Sequence, residues 1–207
     1  WVAANPAADA ERVAFKTSRN IAVLDPEAVL AIAAACPVEW HAAAIRFSAF
    51  TGLRLGELRA LRWRDIDYAN QMIRVTGNVP AGMNAEGTTK GEHSLVDLAI
   101  EAIEPLSRRG RFTLPDDLVF PAPDGDFCTP DPMRRSLYAA MEDAGFGYLR
   151  QERAGRRPFV WHDLRHCFGT LAAQAFPLRD VQAYMGHQHI STTEIYLHHV
   201  PQADAAA

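Results

Sequence analysis

One stretch of this 207-residue chain, QMIRVTG at 71–77, alternates like a strand, and HSLVDL at 93–98 is another strand candidate. That period of two belongs to a half-buried strand, whereas the apolar residues elsewhere recur at helical spacing. A Gly-, Asn- and Pro-rich stretch at 78–91 joins the two, which predicts a hairpin or meander with a long mobile loop. Helices are expected around this small sheet. Asp25 followed by Pro26 is an N-cap with proline in the first turn, and Pro37 stops that helix near Cys36. EWHAAAIRFSAF sets Trp40, Ala44, Phe47 and Phe50 on one face. Thr51-Gly52 breaks it, and LGELRALRW at 55–63 resumes with Leu55, Leu58 and Leu61 as an apolar stripe. Further helices are predicted at about 99–107, 130–144, 161–175, 178–185 and 191–199. The fold class is therefore α+β, mostly α-helical, with a small antiparallel sheet within about residues 66–98.

Apolar residues make up 48% of the chain and charged ones 22%, the balance of an ordinary globular domain. The longest apolar stretch, AVLAIAAACPV at 28–38, is interrupted by proline and too short to span a bilayer. Residues 1–24 show little periodicity and read as an interdomain linker or arm remnant, residues 25–200 as the folded domain, and 201–207 as a tail. The opening residues lack a basic and apolar leader, so a cytoplasmic protein is expected, cut from a longer one. Cys36, Cys128 and Cys167 form no CxxC pair, and reduced thiols fit them better than disulfides or zinc. The net charge of −4 counts mildly against a nucleic-acid partner, but the cations comprise 19 Arg and two Lys, Lys16 and Lys90. Arginine suits forked contacts with phosphate, so the charge balance leaves that partner open.

Three constellations carry chemistry. In TGLRLGELRALRWRDID, Gly52 relaxes a helix–helix junction and Arg54 falls in the first turn beyond it. The helix dipole disfavours a cation there, so another interaction must hold it, and Glu57 three residues on can orient the guanidinium. Arg59, Arg62 and Arg64 read as surface arginines. In WHDLRHCFGT, His162, Arg165 and His166 share one helix face at i, i+3 and i+4. HDLRH also resembles the zinc motif HExxH, yet Asp163 is one methylene shorter than glutamate and an arginine would sit beside the dication. A structural histidine pair, a metal site and phosphate chemistry all remain open for this motif alone. In MGHQHISTTEIYLHH, Gly186-His187 ends one helix, Ser191 and Glu194 match a capping box, and Tyr196 lies on the next helix.

Taken in order, TGLRLGEL, HDLRH, and MGH followed nine residues after the histidine by the tyrosine of TTEIYLHH resemble the tyrosine recombinase (phage integrase) family, over about residues 20–199. The resemblance implies that family's catalytic-domain fold and a site of Arg54, Lys90, His162, Arg165, His187 and Tyr196. Tyr196 would attack a DNA phosphodiester, Arg54 and Arg165 would clamp its oxygens, and His187 would donate to it. His162 would take the phenol proton and Lys90, on a strand-to-strand turn, would protonate the leaving 5′ oxygen. The product would be a 3′-phosphotyrosine, whose bond conserves the energy for rejoining, so no metal, cofactor or ATP is implied. The implied partner is double-stranded DNA at a specific site, bound by a homotetramer on paired sites. The family's N-terminal core-binding domain has no counterpart in this sequence, so a monomer with weak DNA binding is expected of the chain alone. Arg46, Arg134, Arg135, Arg156 and Arg157 are candidate DNA contacts, although a solvated charged face explains them equally well. Alternatives are a type IB topoisomerase that relaxes supercoils, a catalytically silent DNA-binding relative, and a metallohydrolase using His162 and His166.

Overall fold

A computed structural model gives the structure of the protein and describes residues 21–198 apart from 95, 96, 154 and 155. Most of the expected linker and the whole expected tail therefore lie outside the described residues. Leu24, the last residue assigned to the linker, is buried, and its N–H donates to the Cys167 sulfur at 3.2 Å, so the packed domain already includes it.

Helix α1 (Pro26–Ala35) starts as its sequence dictates, with the Asp25 carboxylate accepting from the Ala28 N–H at 2.7 Å. Helix α2 (Glu39–Thr51) is the axis of the domain. Ala44, Ile45, Phe47, Ala49 and Phe50 are all buried, and α2 packs against α1, α4 (Asp97–Ser107), α5 (Pro130–Asp143) and α6 (His162–Ala175). It ends at Gly52, whose φ of +68° is left-handed. A Cβ at this glycine would also lie 2.4 Å from the Phe168 ring, so both conformation and close approach require glycine.

Helix α3 (Leu55–Ala60) is shorter than the periodicity of LGELRALRW predicts. The backbone leaves the helix because it pairs elsewhere: the Leu61 carbonyl accepts from Val119 N–H at 2.9 Å and Trp63 N–H donates to the Asp117 carbonyl at 3.2 Å. A 3₁₀ turn, Trp63–Asp65, leads into the sheet. Three antiparallel strands follow in sequence order, β1 (Ile66–Asp67), β2 (Met72–Asn78) and β3 (Gly87–Ser94). In β2 the alternation holds, with Ile73 and Val75 buried and Arg74 and Thr76 exposed. Of HSLVDL, His93 and Ser94 lie in β3 and Asp97 opens α4, while residues 95 and 96 lie outside the described residues. Met72 pairs with Ser94 at the start of β2.

Arg59 corrects a sequence expectation. It is 2% exposed, not a surface residue, and it donates to the carbonyls of Cys128 (2.6 Å), Val79 (2.8 Å), Pro80 (2.9 Å) and Met83 (3.2 Å). The guanidinium thus satisfies four backbone acceptors and fastens the β2–β3 loop to α3. Arg64 is exposed and Arg62 is partly so, as expected.

Two apolar clusters result. The main core joins α1, α2, α4, α5, the sheet and the first half of α6. A smaller one comprises Phe168, Ala172, Val181, Met185 and Tyr196, from α6, α7 (Leu178–Tyr184) and the C-terminal segment.

Gly52→Ala is expected to lower the free energy of unfolding by more than about 1 kcal/mol, through forced positive φ together with the Phe168 clash. The midpoint of urea denaturation reads this directly.

Candidate active site

Arg54 is the N-cap of α3, with extended backbone, and not a residue of its first turn. The objection that the dipole raises to a cation here is met by Glu57. One carboxylate oxygen accepts the Arg54 backbone N–H at 2.8 Å and the other accepts its Nη1–H at 2.7 Å. Glu57 is buried while the Arg54 side chain is 43% exposed, so the guanidinium is anchored from beneath and open above. Beneath Glu57 lies His93, which the sequence reading missed. It is 1% exposed, Nδ1 lies 3.1 Å from the Thr51 carbonyl, and Nε2 is 4.0 Å from Glu57 Oε2. Burial pushes its pKa down to about 4 against the opposing pull of Glu57, so the ring is neutral and donates from Nδ1 to Thr51. The signal that could have found it is register: His93 faces the buried Ile73 across the sheet.

On α6, Asp163 is buried, accepts the Val160 N–H at 2.7 Å and takes both arms of the Arg157 guanidinium. Arg157, a candidate DNA contact in the sequence, is partly exposed and clamps the start of α6 through Asp163. The same engagement removes Asp163 as the general base of a metallohydrolase. Arg165 is 2% exposed and donates to the carbonyls of Gly52 and Met185. Burial, followed by the neighbouring charge of Arg54, pushes its pKa down to about 10, and it stays a cation at neutral pH. His162 is exposed, and its ring meets that of His166 edge-on at 5.1 Å.

Helix α7 ends at Met185 and Gly186, the latter at φ +57°, as the motif MGH predicts. His187 follows, with Nδ1 2.9 Å from Thr193 Oγ1 and its carbonyl accepting from Gln182 Nε2 at 3.0 Å. The expected capping box does not form. Ile190 occupies the cap with helical backbone and no side-chain bond, and the predicted 191–199 helix is one α-turn, α8 (Ser191–Glu194), followed by a 3₁₀ turn, Ile195–His198. Tyr196, on that turn, is 5% exposed. Its Oη lies 3.0 Å from His166 Nδ1, and its ring stacks nearly parallel to His187 at 6.3 Å. A Cβ at Gly169 would stand 2.6 Å from the Tyr196 Cζ, so the ring rests directly on the α6 backbone. Burial pushes the phenol up to about 12, against the opposing pull of Arg165 and Arg54. His166 and His187 are pushed down to about 4, in each case chiefly by burial.

The structure thus brings Arg54, Arg165, His166, His187 and Tyr196 into one electrostatic neighbourhood, with His162 at its edge. Lys90, expected on a strand-to-strand turn, lies within β3 instead. Val75 pairs with Gly91 and Gly77 with Thr88, so Thr89 and Lys90 together oppose Thr76 as a β-bulge. The other arginines scatter. Arg46 pairs with Glu101 at 3.6 Å, Arg134 with Asp131 at 3.2 Å, Arg156 sits 5.9 Å over the Tyr148 ring, and Arg135 is exposed. All three cysteines are buried free thiols.

A helical domain with a three-stranded sheet, carrying two arginines, three histidines and a tyrosine at the junction of α2, α3, α6 and α7, defines a recognisable class of fold and site. Residues 22–203 match the phage integrase family, and the chain belongs to it. It is 32% identical over 155 residues to the tyrosine recombinase XerC of Actinobacillus pleuropneumoniae serotype 7 (strain AP76), covering 72% of this chain and 44% of that protein. It is 29% identical over 155 residues to the tyrosine recombinase XerD of Listeria monocytogenes serotype 4b (strain F2365), covering 72% and 46%. The chain therefore spans less than half the length of these relatives. In fold it resembles the Tn1549 transposon integrase in complex with circular intermediate DNA, with a TM-score of 0.69 and 22% identity over 89% of this chain and 64% of that one.

Two predictions follow from this geometry. Gly169→Ala displaces the Tyr196 ring, so nitration of Tyr196 by tetranitromethane, mapped by peptide mass, should rise several-fold over the parent. His93, His166 and His187 carry folded pKa values near 4 against 6.5 when unfolded. Depressed values mean that their contribution to stability is complete above about pH 6.5 and is lost as pH falls towards about 4. The thermal midpoint followed by circular dichroism should accordingly fall between about pH 7 and about pH 5.

Proposed function

We propose that this chain is the catalytic domain of a site-specific DNA recombinase that breaks and rejoins strands through a 3′-phosphotyrosine intermediate. The observation that carries the reading is the buried Tyr196 hydroxyl, within hydrogen-bond distance of an α6 imidazole and in the field of Arg54 and Arg165. A phenol with a pKa near 12 is a weak nucleophile at neutral pH, so its proton must leave as the oxygen attacks phosphorus. The pentavalent transition state gathers negative charge on its non-bridging oxygens. The open face of Arg54 and the remaining N–H groups of Arg165 offer forked, charge-assisted hydrogen bonds to those oxygens. Both guanidiniums are held by the protein before DNA arrives, so little reorganisation accompanies the reaction. His187, stacked beside the tyrosine, would donate to the phosphate, and Lys90 at the β3 bulge would protonate the departing 5′ oxygen.

Two permanent cations supply the charge that a metal ion would otherwise bring, and the phosphotyrosine bond retains the energy needed to rejoin. The reading therefore needs neither metal nor ATP. Double-stranded DNA at a specific site is the proposed substrate, with four protomers on two sites in the full-length protein. The absence of a long apolar helix among the described residues fits a protein acting on the chromosome in the cytoplasm.

Incubation with a nicked duplex pool of randomised sequence tests this. A covalent protein–DNA band resistant to denaturant should form with the parent and vanish with Tyr196→Phe, and Arg54→Ala should slow it by about 10²–10³. Sequencing the trapped DNA should return one enriched site. Relaxation of plasmids lacking that site would move the assignment to a type IB topoisomerase.

A further inference from the structure

Two imidazoles sit on the face of α6 that receives Tyr196, and they are not equivalent. The sequence alone favours His162, since it belongs to the HxxR motif. Yet among the described residues the hydrogen-bond partner of the Tyr196 hydroxyl is His166, through Nδ1 at 3.0 Å. His162 lies one turn earlier, exposed, with its ring edge-on to His166 and a centroid distance of 5.1 Å. Gly169, three residues after His166 on the same face, fixes this geometry. Any side chain there would lift the ring, because a Cβ would stand 2.6–2.8 Å from three atoms at the hydroxyl end. Glycine inside a helix costs roughly 0.5–1 kcal/mol relative to alanine. Here it lets the phenol reach the imidazole.

The geometry points to His166 as the group that removes the Tyr196 proton during strand cleavage, with Gly169 as the seat that aligns the pair. This rests on the reading of Tyr196 as the nucleophile. In the step, the Tyr196 O–H bond breaks and an Nδ1–H bond forms on neutral His166, which already carries its other proton on Nε2. The phenolic electron pair makes the Oη–P bond as the P–O5′ bond breaks, and the 5′ oxygen takes a proton from Lys90. On rejoining, the 5′-hydroxyl returns its proton to Lys90 and attacks phosphorus, and the departing tyrosine oxygen recovers the proton from His166. The His166 imidazolium is short-lived. Burial, His162, Arg157 and Arg165 all disfavour it and Asp163 alone favours it, so uptake of the proton has to be concerted with attack on phosphorus, and its return to the tyrosine oxygen is downhill.

The randomised nicked pool provides the assay, with circular dichroism confirming that each variant folds. Tyr196→Phe stands as the control: a band that persists there, or never forms with the parent, defeats the nucleophile reading itself. With that control satisfied, His166→Ala should slow covalent trapping by about 10²–10⁴. Added imidazole should restore it in proportion to the free-base fraction. His166→Asn keeps a hydrogen-bonding partner for the phenol but cannot accept its proton, so it should stay as slow as His166→Ala. Trapping by His166→Ala within about three-fold of the parent, or at the parental rate by His166→Asn, overturns the assignment. Imidazole rescue of His162→Ala in place of His166→Ala returns the role to His162.

Discussion

A guanidinium almost cut off from water ties the site together. Arg165 reaches from α6 to the carbonyl of Gly52, where α2 gives way to α3, and to the carbonyl of Met185, where α7 stops. Each acceptor is a helix-end carbonyl left without an intrahelical partner, so the cation meets the partial negative charge that accumulates there. Arg54 follows two residues after the first acceptor and His187 two residues after the second. The spatial relation of the site's most distant sequence segments is thus written through one side chain. Glu57 moderates the cost of holding Arg54 and Arg165 near each other, and its buried carboxylate is satisfied by the backbone N–H and guanidinium of Arg54.

Much of this was legible beforehand, and the reason is local. Asp25-Pro26, the Gly52 break, the alternation of β2 and the i, i+3, i+4 face of α6 are properties of short segments, which propensity and periodicity capture. What escaped depends on partners distant in sequence. Arg59 looks like any arginine on a charged helix until the carbonyls of Val79, Pro80, Met83 and Cys128 surround it. Arg157 looks free until Asp163 turns towards it. LGELRALRW has helical period beyond Ala60, but backbone pairing with 117–119 outweighs it. HSLVDL reads as a strand throughout, but Asp97 already opens α4. Ser191 and Glu194 have the capping-box spacing, but the chain enters already helical at Ile190 and leaves the box no cap position to fill.

The same distinction separates the parts of the site. Residues that name the motifs were found by type and spacing. His93 and the Gly169 seat are statements about which atoms touch, and so is the reversal at α6: the motif puts His162 first, whereas the contact to the Tyr196 hydroxyl is made by His166. Lys90 lies between these cases. Its lysine identity singles it out in a chain almost without lysine, but the bulge that sets it opposite Thr76 is a matter of register.

Tyr196 belongs to the smaller apolar cluster and not to the main core. Five buried residues hold that cluster together, and beyond it the neighbouring Ile190, Ile195 and Leu197 are exposed. Such a unit can open as a cooperative piece of its own, at a fraction of the free energy of global unfolding. Phe168 and Ala172 of that cluster belong to α6, so the segment bearing Tyr196 leans on the frame through few side chains, and its amide hydrogens are expected to exchange ahead of those of α2.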